Sequence, residues 1–278
     1  ESVTKALGIK KYFNKFISGA RLENPKPAPD IFLKALKELG VKGSESIVIE
    51  DSMNGSIAAK EAGIPCIGFI NKNSGNQDLS TANVLIESFK DIDYDFLNHV
   101  FLRANGLPVT IAVTKRLILR ELTVSDIKDL YDIYKNPEVK KYIDDIDDYL
   151  DIEIEKHKAY IKNVYGFYDY GLWGVFTRND NKLIGRCGIQ NREIDGRNEI
   201  ELGYLLDENH WGLGYATECI KAVIRYAFDS LDLSRIVAVM DRRNDRSIKV
   251  AERNGLRFEK EIHDRNRECY LYTIHKKA

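Results

Sequence analysis

The chain has 278 residues, 44% hydrophobic and 31% charged, and its 42 Lys and Arg against 43 Asp and Glu leave a net charge of −1. That length suits two domains better than one, and the composition is that of a globular protein rather than a disordered or fibrous one. Residues 1–100 carry 12 basic and 13 acidic side chains and residues 101–278 carry 30 of each, so neither half has the basic excess that steers a protein to nucleic acid or an anionic membrane. No apolar run approaches the roughly 20 residues of a membrane helix, and the N-terminus has no signal-peptide core. The four cysteines, Cys66, Cys187, Cys219 and Cys269, are widely spaced with no CxxC. They read as reduced, mostly buried thiols of a cytoplasmic protein. The first residue is Glu1 rather than Met, so a processed chain or one cut from a longer protein is expected.

In chain order, Pro29-Asp30 opens a helix with apolar Ile31, Phe32, Ala35, Leu36 and Leu39, and Gly40 stands at its C-cap. Ile47–Ile49 is a short apolar strand ending on Glu50, Asp51 and Ser52. A helix over 56–62 stops at Gly63, and strands follow at 64–70 and 84–86. Strand–helix–strand alternation with short loops predicts a parallel sheet. Asn105-Gly106 and Pro108 then break the pattern, which predicts a domain over 1–104, a linker over 105–112 and a second domain over 113–278.

The second domain opens with a strand over 116–122. Thr123 with Asp126 predicts an N-cap pair for a helix carrying Ile127, Leu130, Tyr131 and Tyr134. An acidic segment, YIDDIDDYLDIEIE at 142–155, precedes strands at 172–177, 182–190 and 199–206. After DENHWGLGY comes the clearest helix, with Ala216, Cys219, Ile220, Val223, Ile224, Ala227, Phe228 and Leu231 at i, i+3, i+4, i+7 spacing. A strand over 235–240, a helix over 247–253 and strands over 257–263 and 267–275 complete the chain.

The junction at 202–218, LGYLLDENHWGLGYATE, runs from a strand through a turn with Gly212 and Gly214 into that helix. Glycines permit close backbone approach, and a helix N-terminus offers unpaired N–H groups and partial positive charge. Together they make a cradle for a pyrophosphate. With NDRSIKVAERNGLRFE at 244–259 and TKRLILREL at 114–122, this junction resembles the GCN5-related N-acetyltransferases, nearest the branch that acetylates ribosomal-protein N-termini. The resemblance implies an α+β domain with a mixed, mostly antiparallel sheet, using acetyl-CoA. It implies that Leu213, Gly214, Tyr215, Ala216 and Thr217 hold the pyrophosphate, that backbone around Tyr204–Leu206 binds the pantetheine arm, and that Asn244 contacts the same arm. The family turn starts with Gln or Arg where this chain has Trp211, and the usual acid, a Tyr seven residues after the Asn, is replaced by Ala251. Ser247 is the substitute acid expected here. Attack of an amine on a thioester also needs a base, for which Glu201 is the candidate. Glu199 shares its strand parity and therefore its face. An acidic rim over 142–155 would attract a cationic amine or basic peptide; the plainer reading is a solvated helix face. Tyr165, Phe167, Tyr168, Tyr170 and Trp173 read as an acceptor pocket or as core.

NPKPAPDIFLKAL at 24–36 and SIVIEDSMNGSIAAKEAGIPCIGF at 46–69 resemble a second family, the haloacid-dehalogenase-type phosphatases near the β-phosphoglucomutase-like branch, whose core is a Rossmann-like parallel sheet. The resemblance implies that Lys26 is the phosphate partner and that Glu50 and Asp51 hold Mg²⁺. Its nucleophilic Asp should precede Lys26, yet residues 1–25 contain no Asp. The DxD strings at Asp91–Asp93, Asp93–Asp95 and Asp145–Asp147 follow the acidic pair instead. The fold expected is therefore α/β in the first domain, a partial phosphatase-like core lacking nucleophile and cap, followed by the acetyltransferase domain. A sheet without its central strand exposes an edge, and a second copy of the chain, the acetyltransferase half or further residues of a longer protein are the expected candidates to cover it. The leading expectation is an N-acetyltransferase acting on a protein N-terminus or small amine, with no nucleic acid or membrane partner. The rivals are a Mg²⁺-dependent phosphohydrolase, alone or as half of a bifunctional protein, and a module that binds CoA without turnover.

Overall fold

The computed structural model describes residues 2–90, 92–143 and 146–277, and the chain divides into one unit up to Leu107 and another from Pro108. The first unit contains α1 (Ser2–Ala6), α2 (Asp30–Leu39), β1 (Val48–Glu50), α3 (Met53–Glu61), β2 (Cys66–Phe69), β3 (Val84–Ile86) and α4 (Tyr94–Ala104). Helix α2 ends where Gly40 takes a left-handed conformation and returns its N–H to the Leu36 carbonyl, as its position predicts. Helix α3 starts earlier than the apolar pattern suggests, because the Ser52 side chain accepts the Gly55 N–H and caps it. The strands form a parallel sheet in the order β1-β2-β3, with Ile49 opposite Ile67 and Ile67 opposite Val84. Val48, Ala59, Ile64 and Cys66 form one small core and Ile67, Ile86 and Val100 another.

The second unit contains β4 (Thr110–Val113), β5 (Leu117–Arg120), α5 (Ile127–Tyr134), α6 (Pro137–Lys140), α7 (Leu150–Tyr160), α8 (Gly166–Tyr168), β6 (Leu172–Thr177), β7 (Leu183–Ile194), β8 (Arg197–Leu206), α9 (Tyr215–Asp229), β9 (Arg235–Asp241), α10 (Asp245–Arg253), β10 (Arg257–Asp264) and β11 (Arg267–His275). Its sheet runs β10-β11-β9-β8-β7-β6-β5-β4. All pairings are antiparallel except β8 with β9, the mixed sheet that the sequence implies. Residues 110–112, assigned to the linker, are a correction. Asn105-Gly106 ends α4, but beyond Pro108 the chain re-enters a ladder at once, with Thr110 opposite Arg120 and Val113 opposite Ile118. Thr123 and Asp126 form the expected capping box.

The apolar face of α9 closes the main core. Cys219, Ile220, Val223 and Ala227 are buried with Trp173, Ile189 and Ile236, and each large side chain so buried contributes roughly 1.5–3 kcal/mol. Helices α5 and α7 build a second core through Ile127, Leu130 and Tyr134 with Phe176 and Leu183. All four cysteines are buried and free, and no helix of the described residues is long and apolar enough to cross a membrane.

Candidate active site

Strands β8 and β9 run parallel but share one register pair, Glu201 with Val237. Each is committed elsewhere, β8 to β7 along its whole length and β9 to β11. The two strands therefore splay toward their C-terminal ends. The edge of residues 202–206 that faces β9 has no strand partner among the described residues. Unpaired backbone groups of this kind need another partner, and an extended polar molecule lying in the wedge would supply one.

The mouth of the wedge is the turn before α9. Gly212 and Gly214 have φ of +74° and +81°, a region that residues with a Cβ avoid. A Cβ on Gly214 would also come within 3.4 Å of the Arg116 guanidinium. Gly214 caps α9 without any side-chain hydrogen bond, so the first N–H groups of the helix keep their capacity for an anion. Trp211, which departs from the family turn, donates its indole N–H to the Leu206 carbonyl at 2.8 Å. The Arg246 guanidinium lies 4.8 Å from its ring centroid. The aromatic ring thus ties the turn to the end of β8 and to α10.

A second tie was not legible in the sequence. Glu218, in the first turn of α9, accepts hydrogen bonds from the Thr114 hydroxyl at 2.6 Å, the Arg116 backbone N–H at 2.8 Å and Arg116 Nε at 2.7 Å. Arg116 also donates to the Leu213 carbonyl at 2.8 Å and stacks 4.4 Å from the Tyr215 ring centroid. Burial pushes the Glu218 carboxyl up, but the hydrogen bonds from Thr114 and Arg116 outweigh it and hold the group below its usual value. These partners lie about a hundred residues apart in the chain, and no local pattern announces them.

The candidate catalytic residues sit on two elements around the wedge. Glu201 is 6% exposed, and its oxygens accept from Gln190 Nε2 at 2.9 Å and Arg192 at 2.6 Å. Arg192 also bridges to Asp264 at 2.6 Å. Glu201 is thus not a solvent-facing strand carboxylate: cross-strand pairing sets it opposite Gln190 and Arg192 neutralises it. Glu199 shares its parity but is engaged by Arg235. Asn244 caps α10 by accepting the Ser247 N–H at 3.2 Å. The Tyr204 hydroxyl faces Ser247; burial pushes its pKa up and the Ser247 side chain pulls it back. Ala251, in place of the usual Tyr, is buried.

The aromatic group after α7 divides. Tyr165 and Trp173 are core, whereas Phe167 and Tyr168 are exposed. Asp91, Asp144 and Asp145 of the DxD strings and the acidic rim lie outside the described residues.

In the first unit the acidic pair does not converge. Glu50 pairs with Lys26 and accepts the Ser52 hydroxyl at 3.0 Å, filling the space that Gly55 leaves beside α3. Asp51 accepts instead from Asn71 at 2.8 Å and Ser74 at 2.7 Å. These hydrogen bonds lower its pKa. No group of three or more His, Cys, Asp or Glu that could hold a metal occurs among the described residues. Glu50 closes β1 and Asp51 lies just beyond it, and each carboxylate meets protein partners of its own. Lys26 reaches Glu50 rather than standing free.

The sequence profile of the acetyltransferase (GNAT) domain matches residues 116–257. That of the haloacid dehalogenase-like hydrolases matches residues 1–69. A Bacillus licheniformis protein called uncharacterized N-acetyltransferase p20 is 35% identical over 155 residues, 53% of this chain and 82% of that one. The solved ribosomal-protein-S5-alanine acetyltransferase of Vibrio fischeri has a TM-score of 0.52 at 19% identity, covering 60% of this chain and 96% of that one, a likeness of fold. Phosphoglycolate phosphatase of Escherichia coli (strain K12) is 37% identical over 106 residues, 37% of this chain and 38% of that one. The phosphatase-like segment thus spans well under half of that relative.

Proposed function

The chain belongs to the GCN5-related N-acetyltransferase family, and from that premise we propose that it moves an acetyl group from acetyl-CoA to a primary amine, on a protein N-terminus or a small molecule. The observation that carries this reading is the wedge between β8 and β9, which have one shared register pair, with the N-terminus of α9, which has no side-chain cap, at its mouth. The residues present fit the cofactor. Backbone N–H groups of Leu213, Gly214, Tyr215, Ala216 and Thr217 would bind its pyrophosphate. The edge at Tyr204–Leu206, whose Leu206 carbonyl already accepts the Trp211 indole N–H, would bind its pantetheine arm through its remaining backbone groups, and Asn244, whose Oδ1 is occupied by the Ser247 N–H, has its side-chain NH₂ for the same arm. The bound cofactor supplies an acetyl thioester.

The chain's own residues then have three tasks. Glu201 takes the ammonium proton, directly or through water, so that the acceptor nitrogen is a free nucleophile. Arg192 and Gln190 fix the carboxylate for that task. Ser247, beside the Tyr204 hydroxyl, returns a proton to the departing sulfur. Exposed acids such as Asp148 and Glu155, whose side chains are 85% and 69% exposed, support a cationic acceptor.

Calorimetry with acetyl-CoA tests the reading. We expect binding in about the micromolar range that Gly214→Glu abolishes. Turnover on a panel of peptides and polyamines should fall on the order of 100-fold or more in Glu201→Gln, with acetyl-CoA affinity unchanged. A folded protein that gives no heat with acetyl-CoA would overturn it.

A further inference from the structure

Helices α5 and α7 line, over β7, a partly open cavity of about 110 Å³ whose walls include Ile127, Leu130, Tyr134, His157, Leu172 and Arg186. One of its polar groups is buried with nothing to bond, and beside it stands a cation without an ionic partner. The Tyr134 hydroxyl is buried without a hydrogen-bond partner among the described residues. The half-buried Arg186 makes no ion pair or hydrogen bond among them, and its guanidinium carbon lies 5.1 Å from the Tyr134 ring centroid. A buried hydroxyl left unpaired is costly, and native proteins keep few of them; here it faces the cavity beside a half-buried cation with no ionic partner among the described residues.

The other charged groups of the lining are already matched. Lys156 pairs with Glu153 at 2.8 Å and lies 3.6 Å from Asp147. Glu153 also accepts the Asp147 backbone N–H at 2.9 Å. His157 sets Nε2 3.2 Å from the Leu122 carbonyl, so that nitrogen carries the proton, and burial lowers the ring's pKa and keeps it neutral near pH 7. Arg186 is left as the one unmatched charge of the lining among the described residues. Burial pushes the Tyr134 hydroxyl up to about 12, so it stays protonated and donates.

We propose that this cavity binds a short aliphatic carboxylate. One oxygen would accept from the Arg186 guanidinium and the other from the Tyr134 hydroxyl, with the alkyl tail against Ile127, Leu130 and Leu172. Size supports this class, since an apolar cavity of about 150 Å³ holds benzene and the present one suits a propionate-sized guest. A phosphate dianion would find only one unmatched cation. The site lies on the same sheet as the wedge, Arg186 standing directly opposite Leu205 of β8, and it requires no acetyl transfer to be occupied.

The test is thermal unfolding of the full chain with propionate, propanamide, inorganic phosphate and NaCl at matched ionic strength. Propionate should raise the midpoint in a saturable way, whereas the uncharged propanamide should not. Arg186→Gln should weaken the propionate effect at least tenfold. Tyr134→Phe should weaken it several-fold while folding normally, because the hydroxyl it removes has no partner to lose. A ¹³C-labelled tyrosine spectrum of the unmutated protein gives a second readout, in which the Tyr134 ring resonance should move with propionate. The proposal is overturned if propionate does no more than NaCl, which would leave water as the occupant. Equal response to propanamide, a larger response to phosphate, or full response in Arg186→Gln would each overturn it as well.

Discussion

Asp241 shows how a single side chain near the wedge can be read for pH dependence. It closes β9, is 8% exposed, and accepts from Arg243 Nε at 2.9 Å and Nη2 at 2.7 Å. The Arg243 hydrogen bonds lower its carboxyl pKa from 3.8 to about 2, outweighing burial, which raises it. A carboxyl whose folded value lies below its unfolded one stabilises the fold above the unfolded pKa, and that contribution disappears as pH falls through the folded pKa. The window is therefore about pH 4 down to 2. Because the Arg243 side chain is 74% exposed, solvent screens the pair, and the expected contribution is on the order of 1–2 kcal/mol. Urea unfolding should find Asp241→Asn less stable by that amount at pH 5, with the difference shrinking at pH 2.5. A difference that stays constant over this range would mean that packing, not charge, explains it. At the same scale the sequence was a good guide to positions and a poor one to partners. Glu201 lies in β8 at its one register pair with β9, and Ser247 lies in the first turn of α10. That Ser247 meets Tyr204, or that Trp211 donates to Leu206, follows from side-chain directions that only the folded backbone sets.

At the scale of elements, the four-turn apolar stripe of α9 and the caps at Gly40 and Thr123 were legible because helix periodicity and capping chemistry are local. Strand ends were less so. The pattern places a strand over 182–190, but β7 extends to Ile194 through Asn191, Arg192 and Glu193, which look like loop residues. The signal present was Asp195-Gly196, with φ of +55° and +72°, the dipeptide of a two-residue hairpin turn. It joins Ile194 to Arg197 in register and so carries the polar residues into the ladder. The Thr114–Arg116–Glu218 link was not legible, since it joins the β4–β5 hairpin to α9 across the fold. Its weight can be measured. Glu218→Ala removes the acceptor for three hydrogen bonds and frees Arg116 beside the Leu213 carbonyl. We expect a loss of about 1–3 kcal/mol in chemical denaturation and acetyl-CoA binding weakened about tenfold. Unchanged stability would show that the hairpin and α9 hold together through apolar contacts alone.

At the scale of the whole molecule, the chain carries two sets of cores. Those of the first unit involve residues 32–100, and those of the second involve residues 111–274. Each core draws its side chains from one unit, so each unit has its own reason to fold. The two also differ in size: among the described residues the first unit's sheet has three strands and the second's has eight, and apolar burial rises with size. Heat should therefore unfold the protein in two transitions rather than one, the first unit melting lower. Acetyl-CoA discriminates them, because a ligand stabilises only what it binds. At about 100 times its dissociation constant it should add about 2.7 kcal/mol to the second unit and raise the upper transition alone. Differential scanning calorimetry with and without acetyl-CoA measures this directly. One cooperative transition that acetyl-CoA moves as a whole would show that the two units fold as one, and the phosphatase-like segment would then be part of the acetyltransferase's structural support rather than a neighbour to it.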